Sequence, residues 1–338
     1  MTTRVLAVIQ PVFFAAVLAV CTLGCQDSGT TSVTDPSAKR VIKHPYAIVT
    51  TTSMVADMVR HVTGDKATVV SLMGEGVDPH LYKPTRDDVD QLMSADVVFY
   101  SGLNLEGRMT DTLTRIARGG NPVFAVTEKL DPTYLREPPE FQGHYDPHVW
   151  MDVAAWSQCA QMVADALGQY DPGSNQHYAD NATAYRAELK QLDDYCRKVI
   201  ASVPKDRRML VTAHDAFGYF SRAYEIPVHS VQGVSTESEA SVRDVNNLIQ
   251  TIIKHKIPAI FVESSVSEKN IKAVIEGAGR KGFTVEIGGN LFSDAMGAPG
   301  TYEGTYIGML DHNATTITRA LGGQAPERGF RGKLAAPK

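Results

Sequence analysis

One tripeptide occurs twice in this chain, as Asp78-Pro79-His80 and Asp146-Pro147-His148, each time after a loop rich in Gly, Pro and acidic residues. Proline fixes its own φ and pushes the residue before it toward extended geometry, so each triplet holds an imidazole at a defined point of a stiff turn. A metal ligand is well presented that way, although two incidental surface turns would read the same. The chain also offers His214, in His214-Asp215-Ala216-Phe217-Gly218-Tyr219-Phe220, and Asp294, in Leu291-Phe292-Ser293-Asp294. Three neutral imidazoles and a carboxylate suit a borderline divalent cation, with donors at about 2.0–2.2 Å and no redox chemistry required. Seven further histidines, His44, His61, His144, His177, His229, His255 and His312, are present, and spacing alone does not choose among groups so far apart.

The elements that must position these groups alternate. Ala47 to Thr51 reads as a strand, Met54 to Val62 as a helix stopped by Gly64, and Ala67 to Met73 as a second strand leading into Asp78-Pro79-His80. Helix (Thr85 to Met93), strand (Val97 to Tyr100), helix (Met109 to Ala117) and strand (Pro122 to Val126) follow, which predicts a parallel sheet covered by helices. Ligands of such sheets bind in the loops beyond the strands' carboxyl ends. From Asp152 a helical pattern runs to about Leu167, and Asp171-Pro172-Gly173-Ser174 breaks it, with Ser174 as the expected cap of the next helix. Asn175 to about Ser202 contains no Pro or Gly; 28 residues at 1.5 Å each give a helix of roughly 42 Å, long enough to join two lobes. Beyond Pro204 a second α/β unit is expected: strand Arg208 to Thr212, helix Ser241 to Lys256, strand Ala259 to Val262, helix Glu268 to Gly279 and strand Thr284 to Ile287, with Gly288-Gly289-Asn290 after the last strand. His80 and His148 then belong to one half, His214 and Asp294 to the other.

With 338 residues, 43% hydrophobic and 21% charged, the chain has the makings of two domains. A formal net charge of −5 gives no reason to expect nucleic acid as a partner. Arg4, the apolar run Val5 to Val20 and Thr22-Leu23-Gly24-Cys25 read as an export signal ending in a lipidated Cys25, preferred over Cys21. The expected order is a signal peptide at 1–24, a flexible Ser/Thr/Gly/Asp-rich tether at 25–44, an N-terminal lobe at 45–171, the linking helix at 172–204, a C-terminal lobe at 205–325 and a tail at 326–338. Cys159 and Cys196 could pair in an exporting compartment, but both sit at apolar positions of helical patterns, and two buried free thiols are preferred over a disulfide.

The leader, the tether, both Asp-Pro-His triplets, Val149-Trp150, the His214 to Phe220 stretch and Leu291-Phe292-Ser293-Asp294-Ala295-Met296-Gly297 together resemble the zinc/manganese solute-binding lipoproteins of bacterial metal ABC importers, the TroA-like cluster A-I family. Gln232-Gly233-Val234-Ser235-Thr236 and Phe261-Val262-Glu263-Ser264-Ser265 match as well, so the similarity runs from about Ala47 to Leu321. It implies two (β/α) lobes on a rigid helix with little hinge closure, and a metal held by His80, His148, His214 and Asp294 in the cleft between them. It further implies a monomer, lipid-anchored in the periplasm or on the outer face of the cytoplasmic membrane. That monomer captures Zn(II) or Mn(II) for a permease and its ATPase. Zinc-specific members carry a His-rich loop where this chain has only His144, and manganese members carry Glu in place of His214, so both metals stay open and iron is not eliminated.

The rival function is a zinc hydrolase with three protein ligands, a bound water, and Glu263 or Asp215 as base. Glu263 and Asp215 are otherwise candidates for orienting a ligating imidazole; a plain loop ion pair is the alternative for Glu263 and a helix cap for Asp215. Trp150 and Phe217 are expected to pack around the cleft, and His144 to lie on the surface.

Overall fold

The computed structural model describes residues 42–335. The expected signal peptide, Cys21, Cys25 and the tether up to Val41 lie outside them.

The first half contains β1 (Tyr46–Thr50), α1 (Ser53–Thr63), β2 (Ala67–Ser71), α2 (Arg86–Ser94), β3 (Val97–Tyr100), α3 (Thr110–Arg118) and β4 (Val123–Ala125). Its strands form a parallel sheet of order β2-β1-β3-β4. Local chemistry fixes the helix starts. Thr52 caps α1 through its side chain, and Thr85 and Asp88 form a reciprocal capping box on α2, satisfying amide groups that a helix start otherwise leaves bare.

Two long helices follow, α4 (Val153–Tyr170) and α5 (Asn175–Ala201). Asp152 caps α4 by accepting from Ala154 and Ala155. Ser174 stands at the cap position of α5 without a side-chain cap hydrogen bond, because the chain enters through a 3₁₀ turn at Pro172–Ser174. The 27 residues of α5 span about 40 Å at 1.5 Å each. Near one end the Tyr178 hydroxyl meets that of Tyr46 of β1 at 3.0 Å. Toward the other end the Tyr195 hydroxyl lies 2.6 Å from that of Thr315, far along the chain.

The second half comprises β5 (Leu210–His214), α6 (Gly218–Tyr224), β6 (Val228–Gln232), α7 (Val242–His255), β7 (Ala259–Glu263), α8 (Lys269–Arg280), β8 (Glu286–Leu291) and α9 (Tyr306–Ala320). The strands pair in parallel as β5-β6 and β7-β8. Two expectations shift here. β5 ends on His214 rather than before it, and Gly288-Gly289 lie inside β8, where the register slips between Ile260 and Phe261. Gly289 has φ +150°, and a Cβ on Gly288 would meet Phe261, Ala320 and Ala259 within 3.0 Å; a bulge packed this tightly needs glycine. Strand β6 and helix α9 add to the expected elements.

Strand residues alternate between cores. Ile48, Val97, Leu210 and Phe261 face one hydrophobic cluster that also takes in Tyr178, Leu189, Leu192 and Cys196 of α5. Their neighbours Val49 and Val98 face a separate core under α2 and α3, while Val211 and Ile260 face another under α7 and α8. This is the two-residue period of strands buried on both faces. The inner core is continuous from one half to the other, so the strand ends and loops that carry His80, His148, His214 and Asp294 ride on one packed body. Cys159 and Cys196 are free and buried in it. Residues after Pro326 also pack: the Phe330 amide donates to Asp311 at 2.8 Å, and Leu334 is buried.

Candidate metal centre

His80, His148, His214 and Asp294 come together. One ligand-type atom from each lies within 4.8 Å of all the others, and all four residues are buried. His148 Nε2 is 3.3 Å from His80 Nε2 and from Asp294 Oδ1; His214 Nε2 is 3.1 Å, and His80 Nε2 4.0 Å, from Asp294 Oδ2. Four donors about 2.1 Å from one ion at tetrahedral angles stand about 3.4 Å apart, so these separations are those of a coordination shell. Both Asp294 oxygens and His214 Nε2 are buried without a hydrogen-bond partner in good geometry. Buried polar atoms are seldom left so. A cation at their common focus would satisfy all three.

Each donor is placed by a strand end or a loop pinned from elsewhere. His214 is the last residue of β5, and Glu263 is the last of β7. Glu263 Oε1 accepts from the Ala213 and His214 amides at 2.7 and 2.9 Å, and its Oε2 lies 2.5 Å from His214 Nδ1. One carboxylate thereby bridges the two strand pairs and turns Nε2 of His214 toward the site. His148 is held in the same manner by Asp146, whose Oδ1 accepts from the His148 amide at 3.0 Å and lies 2.8 Å from its Nδ1. Asp294 sits in the loop after β8. The Ser293 carbonyl accepts from the Trp150 indole at 2.9 Å, and Asn313 of α9 bonds the Phe292 amide and carbonyl at 3.0 and 2.7 Å. His80 is held through its backbone: its amide donates to Asp78 Oδ1 at 2.9 Å.

Asp294, Asp146 and Glu263 surround three imidazoles, and these carboxylates compete with burial over protonation. Burial disfavours a charge on His148, but the hydrogen bond to Asp146 and the nearby Asp294 carboxylate outweigh it and raise the group to about 9. His214 is likewise raised well above the ordinary imidazole range, the carboxylates of Glu263 and Asp294 overcoming burial. Asp294 is held well below the usual carboxylate range by His214 and His148 despite burial. His80 behaves oppositely. Burial pushes it down to about 3 against the pull of Asp294. The centre thus holds protons where a divalent ion would sit.

The sequence expectations fare unevenly around this core. Glu263 meets the His214 ring, the contact that one of its readings requires. Asp215 does neither thing expected of it. Helix α6 begins at Phe217 with no side-chain cap, and no hydrogen bond joins the Asp215 side chain to His214 among the described residues. Its neighbours in charge are instead Asp146, Arg136 and His148. Trp150 and Phe217 are fully buried, the indole edge-on to the His148 ring at 5.2 Å. His144 is exposed and packs near Phe141. Missing from the sequence reading were Asp146 as the partner of His148 Nδ1 and Arg136, whose guanidinium pairs with Asp146 Oδ2. Neither had a sufficient local signal: an Asp two residues before a His can reach its ring, yet Asp78 at the same spacing bonds the His80 amide and not its ring, and the Arg136 pairing leaves no local trace.

Two packed α/β halves, a long joining helix and a His₃Asp cluster between strand ends describe a solute receptor built around a cation. The chain matches the family described as "Zinc-uptake complex component A periplasmic" over residues 48–320, and it belongs to that family. It is 46% identical to the zinc-binding protein TroA of Treponema pallidum over 274 residues, covering 81% of this chain and 88% of that protein. It is also 46% identical to the manganese-binding lipoprotein MntA of Bacillus subtilis over 286 residues, 84% and 92% of the two chains. The solved structure of the periplasmic zinc binding protein TroA from Treponema pallidum superposes with a TM-score of 0.79 at 45% identity, covering 82% of this chain and 99% of that one.

Proposed function

We propose that this protein is the extracytoplasmic receptor of a metal ABC importer, capturing Zn(II) or Mn(II) through His80, His148, His214 and Asp294 and handing the ion to a permease and its ATPase. The observation that carries the reading is the convergence of four buried residues on one point, with both Asp294 oxygens and His214 Nε2 left without a hydrogen-bond partner. The relatives named for zinc and for manganese are equally similar to this chain, which supports a site able to take either. Imidazole donors favour zinc, and a carboxylate with two free oxygens lets a larger coordination number accommodate manganese. We divide the body into lobes at 45–171 and 205–325 joined by 172–204.

The ion is cargo rather than a reagent. A hydrolytic zinc site keeps a position open for water and a free carboxylate nearby as base. In this chain four protein donors face the focus, and Glu263 is committed to His214 and two backbone amides, so a receptor without hydrolytic activity is the better reading. Among the described residues no helix is long and apolar enough to cross a membrane; attachment by a lipidated Cys25 and a monomeric state complete the proposal.

The test is metal content with zinc and manganese titrations of the stripped protein. One equivalent bound, lost in Asp294→Ala, is expected. No binding of either ion would sink the proposal.

A further inference from the structure

The loop that enters the second Asp-Pro-His carries a cation that touches no candidate ligand. Arg136 Nη1 pairs with Asp146 Oδ2, the oxygen left over when Oδ1 serves the His148 amide and ring. Backbone bonds reinforce the pairing. The Asp146 amide donates to the Arg136 carbonyl at 2.8 Å, the Arg136 amide to the Tyr219 hydroxyl at 3.0 Å, and that hydroxyl to the Asp146 carbonyl at 3.0 Å. Asp146 is fully buried, whereas the Arg136 side chain is 26% exposed. Gly218, at the start of α6, gives the guanidinium its room, for a Cβ there would stand 1.2 Å from Arg136 Nη1. Gly218 has no need of glycine's backbone freedom, since its φ is not among the positive ones. Its place in the chain is explained by the arginine.

We propose that Arg136 is a positioning residue that acts through Asp146 on His148 and tilts the site toward Zn(II) over Mn(II), with Gly218 as the seat that holds it. The inference rests on the ligand assignment above. By engaging Oδ2, Arg136 prevents Asp146 from rotating and keeps Oδ1 on the His148 ring, so that Nε2 keeps its aim. His214 has no counterpart arrangement, its Glu263 being fixed by backbone amides.

Removing Arg136 has two opposed effects. Losing a positive charge near the site strengthens attraction for any dication, and equally for both metals because both carry the same charge. Losing the aim of an imidazole weakens the bond on which zinc depends more, since manganese draws more of its binding from oxygen donors. The ratio of zinc to manganese affinity therefore isolates positioning from charge.

The experiment measures both affinities by chelator competition on the full-length chain, for the parent, Arg136→Gln, Arg136→Lys and Gly218→Ala. The zinc-to-manganese ratio is expected to fall about fivefold in Arg136→Gln, less than the roughly 10- to 100-fold that loss of a direct partner of a ligand costs in affinity. Gly218→Ala keeps the charge but displaces the guanidinium, and is expected to lower the ratio in the same direction. Adding it to Arg136→Gln is expected to change little further, as for two changes acting through one contact. Arg136→Lys, able to give Oδ2 one charged hydrogen bond, is expected to restore most of the ratio. Co(II) absorption, as a spectroscopic probe, is expected to shift in Arg136→Gln and not in Arg136→Lys. A ratio in Arg136→Gln within about twofold of the parent, with the parent binding one zinc, overturns this inference alone. A parent that binds no zinc overturns the ligand assignment and this inference with it. Should Gly218→Ala not fold, the two Arg136 variants and the cobalt spectra decide the matter.

Discussion

The two Asp-Pro-His triplets make the same turn and use their aspartates differently. In both, Oδ1 accepts from the histidine amide two residues on, at 2.9 Å for His80 and 3.0 Å for His148. At Asp146 that same oxygen also meets the ring Nδ1, and Oδ2 is taken by Arg136. At Asp78 the second oxygen instead accepts from Thr236 in the opposite half at 2.6 Å, and His80 Nδ1 has no protein partner among the described residues. One triplet aims an imidazole; the other ties the lobes together beside one. An identical tripeptide thus sets the backbone turn, and the surroundings decide what its carboxylate does.

The comparison breaks first at the histidines themselves. His148→Ala and His80→Ala each remove a proposed donor, and each is expected to cost zinc affinity more than the roughly 10- to 100-fold that losing an outer partner costs. Isothermal titration would measure both. Equal binding by parent and either variant would remove that histidine from the site. Next come the aspartates. Asp146→Asn leaves a group that cannot serve the ring, the amide and Arg136 as the carboxylate does, and is expected to lower zinc affinity by about 10- to 100-fold. Asp78→Asn retains an acceptor for the His80 amide and is expected to cost clearly less. If the two asparagine variants lost affinity equally, the distinction drawn between the triplets would fail.

Protonation sharpens the contrast further. In the metal-free centre burial pushes His80 down to about 3, while Asp146 and Asp294 overcome burial to raise His148 to about 9. A group protonated in the free state must lose its proton to coordinate, so affinity rises with pH until the free-state pKa is passed. At pH 7 zinc is expected to expel a proton from His148 and none from His80. The pH dependence of affinity then climbs from neutral pH through about 9, where His148 is half deprotonated in the free centre, and His214, also raised, contributes to the same climb. Calorimetry in buffers of differing ionisation enthalpy counts the protons. His148→Ala is expected to release one fewer than the parent, and His80→Ala the same number. A drop in proton count for His80→Ala would reverse the assignment.

Much of the site was legible because its donors sit at strand ends and in stiff turns, which leave a local trace in the sequence. β7 ends at Glu263 and β5 at His214, and the parallel arrangement that brings them together follows from alternation of strands and helices. Strand β6 was harder to see. In Val228-His229-Ser230-Val231-Gln232 the first three residues are half-buried or exposed, and so short and mixed a run gives little period to read. Asp215 misled for a related reason: it precedes a helix, but the helix starts two residues later at a Phe217 cap. Arg136 and Gly218 are 82 positions apart in sequence, and only the folded chain places one against the other. A glycine whose role is to leave space has no signature beyond being glycine.

The smallest effect concerns the tie between the lobes. Thr236 donates to Asp78 from the segment after β6, and the neighbouring Glu237 pairs with Arg108 at 2.9 Å. The second contact is half exposed and contributes little, as surface pairs do. The first is a short, part-buried bond to a carboxylate one turn from His80. Removing such a bond costs about 1 kcal/mol, a factor of about five in a rate it controls. Thr236→Val removes the hydroxyl and keeps the volume, so it is expected to speed zinc dissociation about fivefold and, because the bond is also made without metal, to lower the stability of the metal-free protein by about 1 kcal/mol. Stopped-flow release into a chelator would read the rate. Arg108→Gln, breaking only the exposed pair, is expected to leave it as in the parent. If Thr236→Val released zinc no faster, Asp78 would hold His80 through the turn alone. The two triplets would then differ only in how their imidazoles are held, and the bond across the cleft would have no part in retaining the ion.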